Sequence, residues 1–144
     1  MNNFKVCILV AGRGIRLGEL TENISKTLLP IDNKAVISHI IEKFSHEAEF
    51  VIALGYQGEK IKEYLEHSHP ERKFTFVNVD KFEGTGTGPG YSLFCCKKYL
   101  ECPFIIFAGD TIINYEIPIP ERNWLGVHEV PDTERFCSTK IKDG

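Results

Sequence analysis

The amino-acid sequence predicts an α/β fold with a mostly parallel sheet, because short apolar runs alternate with segments of helical periodicity. Residues 6–11 (VCILVA) are continuously apolar, which is typical of a strand that is buried on both faces. Residues 49–54 and 103–108 form two similar runs, and a glycine follows each of the three. Parallel strands in this order need crossover connections, which are nearly always right-handed. We therefore expect a parallel sheet flanked by helices.

Helices and further strands fill the intervals between these runs. Helical spacing of apolar side chains predicts three helices, at residues 35–44, 58–67 and 89–100. Alternation predicts three more strands, of which the last two are weaker candidates, at residues 73–79, 125–130 and 136–141. The length of 144 residues indicates a single domain, residues 1–144.

Composition and charge exclude several kinds of protein. With 42% hydrophobic and 26% charged residues, the sequence is that of a globular protein. The net charge of −3 and the pI of about 6.0 argue against a nucleic-acid partner. We see neither a secretory signal nor the roughly 18 apolar residues of a membrane helix, so we expect a cytoplasmic protein without membrane insertion. The five cysteines are odd in number and lack a C-x-x-C pair, which disfavours disulfides and structural zinc.

The loop after the first predicted strand has the composition of a phosphate-binding loop. Ligands of open α/β sheets bind beyond the carboxyl ends of the strands, and Gly12, Gly14 and Gly18 lie there. Glycines allow backbone N–H groups to approach a phosphate closely. The dinucleotide-binding motif is excluded because Leu17 stands where its third glycine is needed, and no G-K-[ST] closes the loop as in a P-loop.

Two cations accompany these glycines. Arg16 carries a planar guanidinium that can pair with two phosphate oxygens, and Lys26 adds a compact charge ten residues further on. Together with backbone donors, two cations suit a polyphosphate better than a single phosphate. A tight turn with solvated arginines is the structural alternative, and the glycine pattern alone leaves it open.

Two further features are expected at the same edge of the sheet. Asp110 follows a buried run and a glycine, where its carboxylate could bind Mg²⁺, which prefers one or two carboxylates plus ligand phosphates. A turn aspartate is the alternative. Residues 83–91 (EGTGTGPGY) contain too many glycines for the interior of a helix or strand. They would allow the backbone to approach a flat ligand such as a nucleotide base, or form a flexible surface loop.

These segments together resemble the sugar-phosphate nucleotidyltransferase family. LVAGRGIRLGELTENISKTLLPI resembles its glycine loop and the lysine stretch that follows, and VIALGYQGEKIKEYL resembles its next strand, turn and helix. GTGTGPGYSL lies where the family contacts the base, and PFIIFAGDTII resembles the strand that ends in the metal-binding aspartate. GVHEVPDTERFCSTKIKDG resembles the strand pair that follows. The resemblance keeps the motif order along nearly the whole chain and implies a Rossmann-like sheet of the nucleotidyltransferase type.

The resemblance implies transfer of a nucleotidyl group from an NTP to a sugar 1-phosphate, giving an NDP-sugar and pyrophosphate for surface polysaccharide synthesis. Asp110 would hold the Mg²⁺ cofactor, Arg16 the β and γ phosphates, and Lys26 the α-phosphate, and these are the implied catalytic residues. The backbones of two further groups would complete the nucleotide site: Ala11, Gly12 and Gly14 at the phosphates and ribose, and Gly86, Thr87 and Gly88 at the base.

Two departures from the family pattern leave other functions open. Ile15 stands where the family usually has Thr or Ser, so one hydroxyl of the phosphate loop is missing. Family catalytic domains are longer, and their second metal-binding aspartate and most sugar contacts lie downstream. The chain therefore resembles their N-terminal, nucleotide-binding part, truncated at the C-terminus. The alternatives are cytidylyl transfer to a non-sugar phosphate such as phosphocholine, or a non-catalytic nucleotide-binding module. An uncovered sheet edge would favour a homo-oligomer.

Two histidines lie near the end of the second predicted helix. His67 and His69 are two positions apart, and metal binding by such a pair is conceivable. A solvated helix end is the preferred interpretation, because cationic side chains are favourable near a helix C-terminus.

Overall fold

The computed structural model describes residues 4–132, 134 and 139. A four-stranded parallel sheet forms its centre, and two short strands form a separate antiparallel pair. In chain order the elements are β1 (Lys5–Leu9), β2 (Pro30–Ile31), β3 (Lys34–Ala35), α1 (Val36–Ile41), β4 (Glu49–Leu54), α2 (Gly58–Ser68), β5 (Lys73–Asn78), α3 (Pro89–Cys96) and β6 (Phe104–Ala108). Among the described helices, none is long and apolar enough to cross a membrane.

The strands of the central sheet run in the order β5-β4-β1-β6. Leu9 at the end of β1 lies opposite Ala53 of β4 and opposite Ala108 of β6. The pairing continues outward, with Leu54 of β4 opposite Asn78 of β5. Because all four strands are parallel, their carboxyl ends lie at one edge of the sheet. The predicted parallel α/β fold is confirmed, and this edge collects the loops that the sequence singled out.

Helices cover both faces of the sheet. On one face Val6 and Ile8 of β1 pack in a cluster with α1 and α2, and on the other face Cys7 packs in a cluster with α3. All three side chains are fully buried. A strand covered on both faces needs apolar residues at every position, which explains the continuous run in the sequence.

Several predicted elements differ from the structure. The helix predicted at residues 35–44 is α-helical only at Val36–Ile41, and after α3 a 3₁₀ turn forms at Lys97–Tyr99. Residues 125–130 do not form the predicted strand, because alternation produces a strand only where a neighbour pairs with its backbone groups. The candidate at residues 136–141 falls, except for residue 139, outside the described residues.

His69, directly after α2, is buried, and the prediction of a solvated position was wrong for it. Only 7% of the residue is exposed, and its Nε2 lies 2.8 Å from Oγ of Ser38 in α1. The same Oγ lies 2.9 Å from the hydroxyl of Tyr64. Burial lowers the pKa of His69, because desolvation disfavours the imidazolium. Helical periodicity does not reveal which neighbouring helix will cover a residue beyond the last turn. His67 is exposed, as predicted.

Candidate functional site

Three loops meet at the carboxyl end of β1. The Tyr56 amide, after β4, donates to the Ala11 carbonyl at 2.9 Å. The Gly109 amide, after β6, donates to the Leu9 carbonyl at 3.0 Å. These bonds extend the pairing of the sheet beyond its strands and fasten the loops after β4 and β6 to the chain that follows β1.

Two glycines make this close approach feasible. A Cβ on Gly55 would lie 2.6 Å from the Ala11 carbonyl oxygen, and a Cβ on Gly109 would lie 2.2 Å from Cγ1 of Val10. Both distances are shorter than non-bonded carbon contacts tolerate. The sequence signal for these positions is the glycine directly after each apolar run, which marks the end of a strand but does not show that a neighbouring chain packs against it.

Residues 12–26, here called the first glycine loop, fold onto this edge of the sheet. Gly14 has a φ of 74°, in the left-handed region that glycine adopts without strain, and a 3₁₀ turn follows at Ile15–Thr21. The Thr21 hydroxyl lies 3.1 Å from the Gly14 carbonyl oxygen and 3.2 Å from that of Gly18. The Tyr56 hydroxyl donates to the Thr21 carbonyl at 2.9 Å. The loop is therefore held both by its own bonds and by a residue from the neighbouring loop.

Lys26 and Asp110 are brought together at this edge, although they lie 84 positions apart in the sequence. Lys26 Nζ lies 2.5 Å from Asp110 Oδ2, and the two side chains are 24% and 43% exposed. The aliphatic stem of Lys26 lies against Gly14, where a Cβ would be 3.2 Å from the lysine Cδ. The adjacent Thr27 hydroxyl donates to the Gly109 carbonyl at 2.5 Å. Two residues singled out by the sequence thus form one charged pair.

Open space lies in front of the first glycine of the loop. A Cβ on Gly12 would meet no other atom within 4 Å, whereas Ala11 beside it is buried. An exposed backbone with free space in front of it, at the edge of the sheet that also carries the charged pair, is suited to an anionic ligand.

The donor set at this edge fits a magnesium ion that is shared with a ligand. Asp110 supplies one carboxylate, and no group of three or more His, Cys, Asp or Glu side chains suitable for a metal occurs among the described residues. Mg²⁺ is commonly held by one or two carboxylates together with substrate phosphates and water. Asp110 therefore matches the protein's share of such a site, and the phosphates would have to supply other ligands.

The two arginines of the first glycine loop differ in their partners. Arg16 is exposed, and in the described part of the chain it has no ion-pair partner. Arg13 Nη1 lies 3.4 Å from Glu83 Oε1, and the Arg13 guanidinium lies 5.3 Å from the centre of the Tyr56 ring. Sequence reasoning assigned no role to Arg13 or Glu83. The only available signal was a second arginine between two of the loop glycines.

Residues 83–91, here called the second glycine loop, follow β5 and include the first three residues of α3. Gly84, Gly86 and Gly88 have positive φ values of 90°, 82° and 135°. The Thr87 hydroxyl donates to the Gly84 carbonyl at 2.8 Å. A Cβ on Gly86 or Gly88 would meet no other atom within 4 Å. The predicted group of Gly86, Thr87 and Gly88 therefore forms an open, irregular loop, which Glu83 joins to the first glycine loop through Arg13.

Tyr91, in the first turn of α3, ties this helix to the end of β5. Its hydroxyl donates to Asp80 Oδ1 at 2.5 Å. This bond and the nearby negative charge raise the pKa of Tyr91 to about 12. The same bond is the main reason that the pKa of Asp80 is lowered. The sequence analysis assigned no role to Asp80, and it included Tyr91 only as the last residue of the glycine-rich segment 83–91.

A large cavity lies along the outer edge of the sheet rather than between the glycine loops. Its volume is about 890 Å³, and it is lined by β6 and by residues 120–126. It reaches Ala108 and Thr111, on either side of Gly109 and Asp110. The cavity therefore begins beside the charged pair, at the open edge of β6.

Several known proteins are similar to this chain in sequence. The chain is 33% identical over 132 residues to the "Bifunctional protein GlmU" of Methanococcus vannielii, covering 90% of this chain and 30% of that protein. It is 44% identical over 63 residues to the "Probable glucose-1-phosphate cytidylyltransferase" of Bacillus subtilis, covering 42% of this chain and 25% of that protein. The chain thus spans less than a third of the length of these curated relatives.

Solved structures of nucleotidyltransferases also superpose on this chain. The CTP:phosphocholine cytidylyltransferase of Streptococcus pneumoniae superposes with a TM-score of 0.61 at 26% identity, covering 84% of this chain and 51% of that one. A UDP-glucose pyrophosphorylase in complex with UDP-glucose superposes with a TM-score of 0.60 at 22% identity, covering 74% and 46%. The latter likeness shows the fold alone, and the described fold corresponds to about half of each structure.

The match to a family model covers most of the chain. The model of the MobA-like NTP transferase domain matches residues 6–115, which include both glycine loops, Lys26 and Asp110. The resemblance to nucleotidyltransferases noted in the sequence is thereby confirmed at the level of the family. The chain belongs to the MobA-like NTP transferase family.

Proposed function

We propose that this chain carries the nucleotide-binding part of an enzyme that transfers a nucleotidyl group from an NTP to a sugar 1-phosphate and releases pyrophosphate. The observation that carries the proposal is the Lys26–Asp110 pair, whose lysine lies against Gly14, at the edge of the sheet where the backbone of Gly12 is open. A cation for phosphate, a carboxylate for Mg²⁺ and accessible backbone donors lie at one edge of the sheet. We place the protein in the cytoplasm as part of this proposal, since the described cysteines are free thiols.

In the proposed reaction a phosphate oxygen of the acceptor attacks the α-phosphorus of the NTP in line. The bond from the α-phosphorus to the bridging oxygen breaks, and pyrophosphate leaves. No nucleophile from the protein is needed, so catalysis rests on positioning and on stabilisation of charge. Lys26 binds the α-phosphate, where two phosphate groups that repel each other must approach. Arg16 holds the β and γ phosphates and stabilises the leaving pyrophosphate.

The Lys26–Asp110 ion pair supports an exchange of partners when a nucleotide binds. A triphosphate carries more negative charge than one carboxylate, so Lys26 turns from Asp110 to the α-phosphate. Asp110 is then available to the metal. When bound, Mg²⁺ neutralises phosphate charge and orients the phosphate oxygens.

The backbone completes the proposed nucleotide site. Ala11, Gly12 and Gly14 cradle the phosphates and ribose from the first glycine loop. Gly86, Thr87 and Gly88 face the base from the second glycine loop. The Thr87 hydroxyl already bonds to Gly84, so Thr87 contacts the base through its main chain. The positive φ values of Gly86 and Gly88 and the free space beside them support this arrangement.

A second acceptor class is favoured by one comparison. The CTP:phosphocholine cytidylyltransferase is 26% identical and matches 84% of this chain. Its acceptor, a phosphorylated alcohol, presents the same phosphate to the first glycine loop as a sugar 1-phosphate would. Cytidylyl transfer to phosphocholine is therefore the alternative reaction, and a non-catalytic nucleotide-binding module is the alternative of a different class.

Calorimetry of the 144-residue chain with ATP, CTP, GTP, UTP and dTTP, each with Mg²⁺, tests the proposal. We expect one nucleotide to bind and Lys26→Ala to weaken its binding at least about thirtyfold, because truncating a charged partner typically costs 2–5 kcal/mol. Lys34→Ala is the matched control, since Lys34 pairs with Glu42 at the same 2.5 Å but belongs to β3. Absence of binding for all five nucleotides, or equal binding by Lys26→Ala, would overturn the assignment.

Turnover then separates the remaining functions. The chain is incubated with the bound nucleotide and either glucose 1-phosphate or phosphocholine, and pyrophosphate release is followed. Release with only one acceptor identifies its class. Tight nucleotide binding without release in either case supports the non-catalytic module.

A further inference from the structure

We infer that the Arg13–Glu83 ion pair is a latch that joins the two glycine loops in the absence of nucleotide, and that Arg13 leaves Glu83 for the phosphates when an NTP binds. This inference rests on the proposed function, because it requires a nucleotide between the loops. It adds a third loop cation, Arg13, to the phosphate contacts and gives Glu83 an opposing role. The two residues lie 70 positions apart, and their charged atoms are separated by 3.4 Å.

Arg13 lies over the ring of Tyr56, which is itself held in place by hydrogen bonds. Its guanidinium lies 5.3 Å from the centre of the Tyr56 ring, a cation–π arrangement. Tyr56 is itself held at two points, through its amide to Ala11 and through its hydroxyl to the Thr21 carbonyl. Both anchors belong to the chain around the first glycine loop. The guanidinium therefore lies close to the phosphate side of the site whether or not it contacts Glu83.

Glu83 lies on a less constrained segment. It directly precedes Gly84, the first of the three glycines with positive φ. Between residues 84 and 88 the described hydrogen bonds are local: the Thr87 hydroxyl donates to the Gly84 carbonyl, and the Ser92 amide donates to the Gly88 carbonyl. Phe82 and Tyr91 on either side pack against the core. Among the described contacts of the segment between them, the one with Arg13 is long-range. Loss of that contact would release Glu83 and the glycines after it without disturbing the sheet.

The ion pair has the properties of a contact that can exchange. The side chains of Arg13 and Glu83 are 47% and 52% exposed, and pairs of this kind are weak and screened by salt. A triphosphate offers the guanidinium several phosphate oxygens in bidentate geometry. The Glu83 carboxylate would then lie near a polyanion that repels it. Arg13 therefore favours nucleotide binding, and Glu83 opposes it.

The change in nucleotide affinity on replacing each partner distinguishes a latch from a structural staple, that is, from an ion pair that persists in the nucleotide-bound form. A staple would stabilise the bound form, so removal of either partner would weaken binding to a similar extent. The latch predicts tighter binding when Glu83 is neutralised and weaker binding when Arg13 is neutralised. A double substitution tests the coupling, because the gain from Glu83→Gln requires that Arg13 be present to move.

The experiment measures the Kd of the 144-residue chain for the five Mg²⁺–NTPs at low salt, with Arg13→Gln, Glu83→Gln, the double variant and Glu42→Gln. Glu42, in the exposed pair with Lys34 outside both glycine loops, is the matched control. We expect about threefold tighter binding for Glu83→Gln, as the loss of one exposed ion pair implies, about tenfold weaker binding for Arg13→Gln and no change for Glu42→Gln. The effect of Glu83→Gln should shrink at high salt and vanish when Arg13 is also replaced.

Each other outcome overturns the latch. Weaker binding by Glu83→Gln identifies the pair as a staple, with the proposed function intact. If Glu83→Gln still tightens nucleotide binding in the double variant, Glu83 acts only by repelling the phosphates. Absence of NTP binding by the unchanged chain removes the proposed function and the latch together. Urea unfolding of all variants identifies any change that comes from altered folding.

Discussion

The two glycine loops look alike in composition and differ in how the fold holds them. The first is tied to the sheet edge from two sides, through Tyr56 after β4 and through Thr27, which donates to Gly109 after β6. The second is bonded mainly within itself, and its link to the first is the exposed Arg13–Glu83 pair. Glycine therefore allows close packing against a neighbouring segment of the chain in the first region, and an irregular, open backbone in the second.

This difference matches the proposed tasks of the two loops. Stabilisation of charge in a transition state requires groups that are already in place before reaction. The aliphatic stem of Lys26 lies against Gly14, and the adjacent Thr27 is bonded to Gly109. Contact with a base does not require a loop that is fixed in advance, because the base binds through its flat surface and the loop can adjust to it. We expect substitutions that crowd the anchors of the first loop to affect folding and binding together, and substitutions at open positions of either loop to affect binding alone.

The largest effect is expected from Gly109→Ala. Its Cβ would lie 2.2 Å from Cγ1 of Val10 and 3.2 Å from Oγ1 of Thr27. Overpacking of this kind typically costs about 1–3 kcal/mol, occasionally more, and it would push Asp110 away from Lys26. Urea unfolding should show a lower midpoint, and NTP binding should weaken as well.

Gly12→Ala is the matched control for that change, because a Cβ there would meet no other atom within 4 Å. We expect its free energy of unfolding to stay within about 0.5 kcal/mol of the unchanged chain, while NTP binding falls because the methyl group occupies space proposed for phosphate. Equal stability of Gly109→Ala and Gly12→Ala would show that the first loop is not anchored through Gly109.

An intermediate effect is expected from Asp110→Asn. The lost ion pair is partly exposed, so the free energy of unfolding without ligand should fall by no more than about 1 kcal/mol. The Mg²⁺ concentration that gives half-maximal NTP binding should rise, because an amide is a poorer ligand than a carboxylate for this hard cation. Glu42→Gln serves as the control. An unaltered Mg²⁺ titration would remove Asp110 from the metal site.

The smallest effect is expected from Tyr91→Phe, next to the second loop. The hydrogen bond from Tyr91 lowers the pKa of Asp80. Any stability that this bond contributes is therefore present above the ordinary carboxyl pKa and is lost as the pH falls through the lowered pKa. Both groups are exposed to solvent screening, so we expect only a slight change in the unfolding midpoint. An NMR titration of the variant should show the Asp80 pKa rising toward its usual range. The titration of the Tyr91 phenol, whose pKa is about 12, should be absent. A large loss of stability would contradict the view that this region is loosely held.

Much of the fold follows from local patterns that can be recognised in the sequence. The apolar run around Cys7, the helical spacing around Ile61 and the glycine after each strand are local consequences of burial on two faces, of helical geometry and of the turn beyond a strand. The elements they predict are present, with shifted ends. The strand predicted at residues 125–130 is absent because a strand also needs a partner, which alternation cannot supply.

The residues that could do chemistry here are recognisable in the sequence: a cationic glycine loop, Lys26 and a carboxylate after a buried strand. Which of these residues meet depends on the folded arrangement of the chain. The parallel register of β1 and β6 brings Lys26 to Asp110, and the path of the chain after β5 brings Glu83 to Arg13. The packing of α2 on α1 buries His69 against Ser38. Each of these contacts joins residues more than thirty positions apart, and such pairs depend on how whole elements align rather than on the residues beside them.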